Sequence, residues 1–247
     1  MKTSNPALNE KLFLNGEHVS ADEAMTLSGT VNKTGILLVC VAAAAAWPWH
    51  VFRQTHLPAS IQPIVALGAI GGFILALITI YKKTWAPVTA PVYAIFEGLA
   101  LGGISALFEV RYPGIAMQSV GLTFGTLFVL LLAYRSGLIP VTQKLRLGIV
   151  AATGAIALLY VGELVLGFFG VHFGAINGSG MIGIGFSAAV VVIAALNLVL
   201  DFDFIESGVT ARAPKYMEWY GAFGMIVTLV WLYLEILRLL SKGRNRN

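Results

Sequence analysis

Seven long apolar runs follow one another along the chain, and they constrain its fold more than any other feature. A helix needs about 20 apolar residues to cross a bilayer core of about 30 Å. Lipid offers no partner to a free backbone N–H or C=O, so each run must satisfy its own hydrogen bonds as a helix. The runs fall at roughly 34–52, 60–81, 87–108, 114–134, 147–170, 178–200 and 217–240. Composition supports this reading, since only 11% of residues are charged, against about 25% in ordinary soluble domains. The expected fold is all-α, a polytopic membrane protein of seven transmembrane helices.

The breaks between runs carry charge, proline and glycine. Residues 53–58 separate the first two spans, and Lys82 and Lys83 end the second. "EVRYPG" (109–114) divides the third from the fourth, and "YRSGLIPVTQKLR" (134–146) is the first clear hydrophilic loop. "GVHFGAIN" (170–177) is a short uncharged turn, and residues 202–216 read as the last loop. This organisation is a polar N-terminal tail (1–33), one membrane domain (34–240) and a basic C-terminal tail (241–247).

Lys and Arg in short loops set orientation. One side collects Lys2, Lys11, Lys33, Lys82, Lys83, Arg135, Lys144, Arg146, Arg212 and Lys215, while the opposite loops hold only Arg53 and Arg111. The N-terminus is therefore expected in the cytoplasm. Lys242, Arg244 and Arg246 then fall on the other side, against the rule. The net charge of +4 is spread over loops and tails with no basic reading face, so no nucleic-acid partner is expected. The partner implied by composition is the lipid bilayer.

Acids inside spans are costly, and they usually face the protein interior, a partner or a water path. Glu97 lies near the middle of the third span. Glu163 lies in the later half of the fifth, and Glu235 near the end of the seventh with Arg238 three residues on. Asp201, Asp203 and Glu206 close the sixth span in "LNLVLDFDFIESG", and Glu218 opens the seventh. Asn197 lies one turn before Asp201 on the same helical face, and Thr228 shares a face with Glu235. Acids at three depths are what a cation or proton route needs. The bland alternatives are a structural i,i+3 ion pair for Glu235 and Arg238, completion of that pair or local hydrogen bonding for Glu163, and a hydrogen-bonding core residue for Glu97. Glycines four apart (Gly68 and Gly72, Gly98 and Gly102, Gly121 and Gly125) read as close helix packing.

Several chemistries lack their residues. Cys40 is the single cysteine, so there is no disulfide framework and no cysteine metal site. There is no HExxH, no Walker-type loop, and "NGSG" (177–180) lacks the leading glycine of a rhomboid-type serine site. The seventh span has no lysine between Lys215 and Lys242 for a retinal Schiff base. The chain is expected not to be an enzyme and to need no cofactor.

The strings "TSNPALNEKLF" (3–13), "MTLSGTVNKTGILL" (25–38), "PVYAIFEGLALGGISALFE" (91–109), "ALNLVLDFDFIESG" (195–208) and "PKYMEWYGAFGMIVTLVWLYLEILRLLSK" (214–242) resemble the bacterial branch of the Bax inhibitor-1 / YccA family. The resemblance implies six helices wrapped around a central seventh and an integral protein of the bacterial inner membrane with a cytosolic N-terminus. It also implies a pH-sensitive leak of Ca2+ or H+, in which an aspartate late in helix six shares a proton with one in helix seven. Asp201 matches the first acid, so Ca2+ at Asp201 is the implied metal contact. The second does not carry over: Thr228, or Met225, stands at its place, and Glu218 is an offset substitute. The implied route therefore runs from Asp201, Asp203, Glu218, Asn197 and Thr228 through Glu97, with Glu163, Glu235 and Arg238 as an outer gate or ion pair. Other bacterial members are partners or substrates of a membrane-anchored AAA protease, which gives the rival expectation of a non-transporting regulator in stress response. A small-solute transporter, the third reading, predicts broken helices around a midplane site.

Overall fold

The computed structural model describes residues 23–170 and 174–246. The string at 3–13, together with Lys2, Lys11, His18 and His172, lies outside them. Seven helices are long and apolar enough to cross a membrane: α1 (Leu27–Thr55), α2 (Pro58–Tyr81), α3 (Ala86–Arg111), α4 (Ile115–Arg135), α5 (Gln143–Gly167), α6 (Met181–Thr210) and α7 (Met217–Arg244). No strand occurs among the described residues. None of the seven is interrupted, although Pro48, Pro63 and Pro91 lie inside α1, α2 and α3. The broken helices of the third reading are thus not seen among these residues.

Helix α7 is the core of the bundle, with 67% of its apolar window buried against 6% for α5. Its buried side chains, among them Tyr220, Phe223, Ile226 and Leu232, pack against α1, α3, α4 and α6. Helices α2 and α5 stand outside that ring, α2 on α3 and α1, and α5 on α6. Six helices therefore do not all wrap the seventh; four do, and two form a second layer.

Close backbone approach builds the α1–α3–α2 layer. A Cβ on Gly98 would overlap the Val41 carbonyl and come within 2.8 Å of Ala44 Cβ, and one on Gly102 would come within 2.6 Å of Ala45 Cα. On the other face of α3, a Cβ on Gly68 would lie 2.6 Å from Ala100 N. Without a hydrophobic drive between helices in lipid, such contacts supply the packing. Gly121 and Gly125 differ, with nothing within 4 Å of either. The third glycine pair therefore packs against no other helix among the described residues. Replacing Gly102 with Leu should force α1 from α3 at a cost of at least about 1–3 kcal/mol. Thermal unfolding in detergent micelles checks this, and a midpoint unchanged from wild type would contradict the packing.

Helices α1, α6 and α7 outlast their apolar runs for electrostatic reasons. Helix α1 begins at Leu27 because Thr26 caps it, its hydroxyl accepting from Gly29 N at 3.0 Å. Residues 202–210, read above as loop, continue α6. Their acids find partners, Asp203 on Arg146 and Glu206 on the Tyr134 hydroxyl. Helix α7 runs through Arg244 because two tail cations bind carbonyls. Lys242 donates to Ile176 O (2.7 Å), Gly183 O (3.2 Å) and Ser187 Oγ (2.9 Å), and Arg244 to Pro113 O (2.8 Å) and Gln118 Oε1 (2.9 Å). Those bonds give the cations that breach the charge rule a structural occupation.

Candidate functional site

The bundle has two ends with different contents. The near end holds the start of α1 and the α6–α7 loop; the far end holds the end of α1, the α3–α4 turn and the end of α7.

At the near end, Asp201 is 1% exposed. It lies on the face of α6 that carries Asn197, Leu198, Phe204 and Ile205 into the core. Asn197 Nδ2 donates to Thr153 Oγ1 of α5 and to Ile193 O, both at 2.8 Å. Asp203 and Glu206 turn elsewhere, tying α6 to Arg146 of α5 and to Tyr134 of α4. The three acids of one short string therefore separate by role: one enters the core and two bind neighbouring helices.

Thr228 and Met225, at the place expected for a second acid, are both buried. Glu218 is fully buried, and both its oxygens are engaged. Oε1 accepts from Thr26 N (2.8 Å), from the Thr26 hydroxyl (2.9 Å) and from Lys215 (3.0 Å), while Oε2 binds Lys33. Glu218 thus clasps the start of α1 to the start of α7. Beside it, Met25 N donates to Ala213 O at 2.7 Å, and the Met25 side chain is buried in the core cluster.

Glu97 sits at the α2–α3 contact. Its carboxyl lies against Gly72, where a Cβ would be 2.9 Å from Oε2, and Tyr93 stands one turn earlier on the same helix face. The Tyr93 ring meets Phe223 of α7 edge-on, with centroids 5.0 Å apart. Glu97 is therefore linked to the central helix from the α3 side, whereas Asn197 and Asp201 belong to α6. Helices α3 and α6 are not substantially packed against each other.

At the far end, Glu235 is 2% exposed and pairs with Arg238 at 3.0 Å. Tyr160 of α5 joins them: its hydroxyl donates to Glu235 Oε1 (2.9 Å) and accepts from Arg238 (2.7 Å), and its ring lies under the guanidinium. Glu163, one turn on, accepts from Asn177 rather than completing the pair. Glu235 with Arg238 forms an i,i+3 ion pair, and the bond of Glu163 reaches a residue 14 positions on.

Arg146, Thr153 and Tyr160 recur every seven residues on α5, which keeps them on one face. They meet Asp203, Asn197 and Glu235 in turn. A polar seam therefore runs most of the depth between α5 and the α6–α7 pair, with Asp201 one turn from Asn197. Helix α5 is held to the bundle largely through these side chains, since it packs broadly only on α6. Sequence reasoning missed Thr153, Tyr160 and the buried Lys242 as participants. The seven-residue recurrence was the signal available for the first two, and nothing local marks Lys242. Among the described residues, no group of three His, Cys, Asp or Glu side chains could hold a resident metal ion.

Fold and seam together define an all-α integral membrane protein whose central C-terminal helix is flanked by a buried polar seam. A family model described as Bax inhibitor 1 like matches residues 5–245, and the chain belongs to that family. No curated protein and no solved structure matches.

Proposed function

We infer that the protein is a pH-sensitive cation leak, passing Ca2+ or H+ down a gradient along the seam between α5, α6 and α7. The observation that carries the reading is Asp201, a carboxyl 1% exposed at the near mouth of a membrane-spanning seam. Hard cations favour carboxylate and carbonyl oxygens, and a buried ionisable group in a span is a functional candidate. Asp201 draws the cation in, the Asn197 and Thr228 oxygens line the next turn, and Glu235 waits at the far end behind Arg238. Asp203 on Arg146 holds the near end shut, and Tyr160 with Glu235 and Arg238 holds the far end. Glu97 acts from the α3 side as a second mid-depth carboxyl coupled to α7 through Tyr93. Thr228 cannot share a proton, so the reading places gating on the charge of Asp201 rather than on a proton shared with position 228. Flux then falls as the medium is made acidic, because a neutral carboxyl no longer attracts a cation.

The same reading places the protein in a bacterial inner membrane with its N-terminus in the cytoplasm, as the Lys and Arg distribution supports. Purified protein in liposomes loaded with a calcium dye tests it. Calcium entry is expected to exceed that of empty liposomes and to rise from mildly acidic to mildly alkaline pH. Entry no faster than in empty liposomes would refute it.

A further inference from the structure

A cavity of about 430 Å³ lies away from the seam, between α1 and α4. These two helices are not substantially packed against each other, and α3 and α7 close the back of the gap. The cavity therefore opens sideways onto the face turned to hydrocarbon, where Met117, Val120 and Phe124 of α4 are exposed.

The polar groups in its walls are already satisfied. Ser105 Oγ and Tyr233 Oη bond each other at 2.6 Å, Thr123 donates to Ser119 O at 2.7 Å, and Glu109 caps α4 through Gly114 N and Ala116 N. The remaining walls ask for hydrocarbon. On α1 the lining runs from Leu38 to Trp49, about 16 Å at 1.5 Å per residue, which is one leaflet's share of a bilayer core of about 30 Å.

The far mouth of the slot carries positive charge. The lining face of α1 (Leu38, Ala42, Ala45, Trp49) continues one turn later at the exposed Arg53. On the α4 side, the Arg244 guanidinium is fixed to Pro113 O and Gln118 Oε1, next to the lining residue Met117. An apolar slot one leaflet deep, continuous with the lipid-facing surface and flanked at its end by two guanidiniums, matches an acyl chain that carries an anionic phosphate.

We propose that the α1–α4 fissure binds a phospholipid of the far-end leaflet, with one acyl chain lying against α7 and its phosphate between Arg53 and Arg244. The lipid completes the side wall that α1 and α4 leave open, and it gives hydrocarbon direct contact with the central helix at Val230 and Tyr233.

Full-length protein in nanodiscs containing phosphatidylglycerol with a diazirine on its acyl chain tests this, the labelled residues being mapped by mass spectrometry. Label is expected on Val230 or Tyr233 of α7, together with Ala45 and Val120. Filling the slot with Val120→Trp, at a position that faces the membrane, should lower labelling of α7 several-fold while leaving the outward faces labelled. Arg53→Gln with Arg244→Gln should abolish any preference for phosphatidylglycerol over phosphatidylcholine. Label confined to outward faces in the wild type would overturn the proposal. So would α7 labelling unchanged by Val120→Trp, a headgroup preference unchanged by the paired arginine variants, or a second polypeptide seated at these positions.

Discussion

Bridging α5 to α6 is expected to stop cation flux. In a Cys40→Ala background, Thr153→Cys with Asn197→Cys, oxidised to a direct disulfide with copper–phenanthroline, should bring calcium entry into liposomes down to the empty-liposome level. A reductant that cleaves the bridge should restore it. Thr153 and Asn197 already meet at 2.8 Å, so the bridge holds the closed arrangement rather than distorting it. The expectation follows from how α5 is attached: its apolar surface is almost wholly unburied, and Arg146, Thr153 and Tyr160 are prominent among its ties to the bundle. Hydrogen bonds in spans contribute only about 1–2 kcal/mol each, so a few of them can open and close on a functional timescale where broad apolar packing would not. Entry that persists undiminished in the fully bridged protein would place the route elsewhere.

The largest loss of stability is expected from Glu218→Ala. Removing one member of a buried ion pair typically costs about 3–5 kcal/mol, because the partner is left charged and unpaired. Lys33 is 18% exposed and Lys215 52% exposed, so water recovers part of that loss. A fall of about 2–3 kcal/mol is the expected result on that basis. The variant also takes the acceptor from Thr26 N and the Thr26 hydroxyl, loosening the first turn of α1. Glu218→Gln keeps an acceptor for Thr26 but not the charge, so its loss should be smaller. Thermal unfolding of both variants in the same detergent checks the order. A midpoint for Glu218→Ala equal to wild type would mean that the clasp contributes nothing. The two expectations are separable, since the clasp joins α1 to α7 and the bridge joins α5 to α6.

The seven spans were legible because lipid enforces them: an apolar run near 20 residues has few other fates. Their ends were not legible, because they depend on partners distant in sequence. Residues 202–210 look like a loop until Arg146 and Tyr134 are placed beside Asp203 and Glu206. The start of α1 depends on Glu218, 192 residues from Thr26. The Glu235–Arg238 pair was legible, since i,i+3 spacing is local. Its third member, Tyr160, lies 75 residues from Glu235. Glycine spacing predicted close packing at all three pairs; it is found at Gly68 and at Gly98 with Gly102 but not, among the described residues, at Gly121 and Gly125, because spacing marks a smooth face without saying what meets it. Asp201 was legible as an acid at a span end and by resemblance. Its near-complete burial, and the separation of Glu97 onto the α2–α3 contact, came only with the fold.

The central claim is that charge on buried carboxyls carries the cation, and the paired substitution Asp201→Asn with Glu97→Gln tests it most directly. Both changes are close to isosteric, so the helices should assemble as in the wild type, which thermal unfolding can establish on the same preparation. In liposomes containing a calcium dye, measured from mildly acidic to mildly alkaline pH, the pair is expected to reduce entry to the empty-liposome rate and to remove its pH dependence. Entry at the wild-type rate with the wild-type pH dependence, from a folded double variant, would contradict the account.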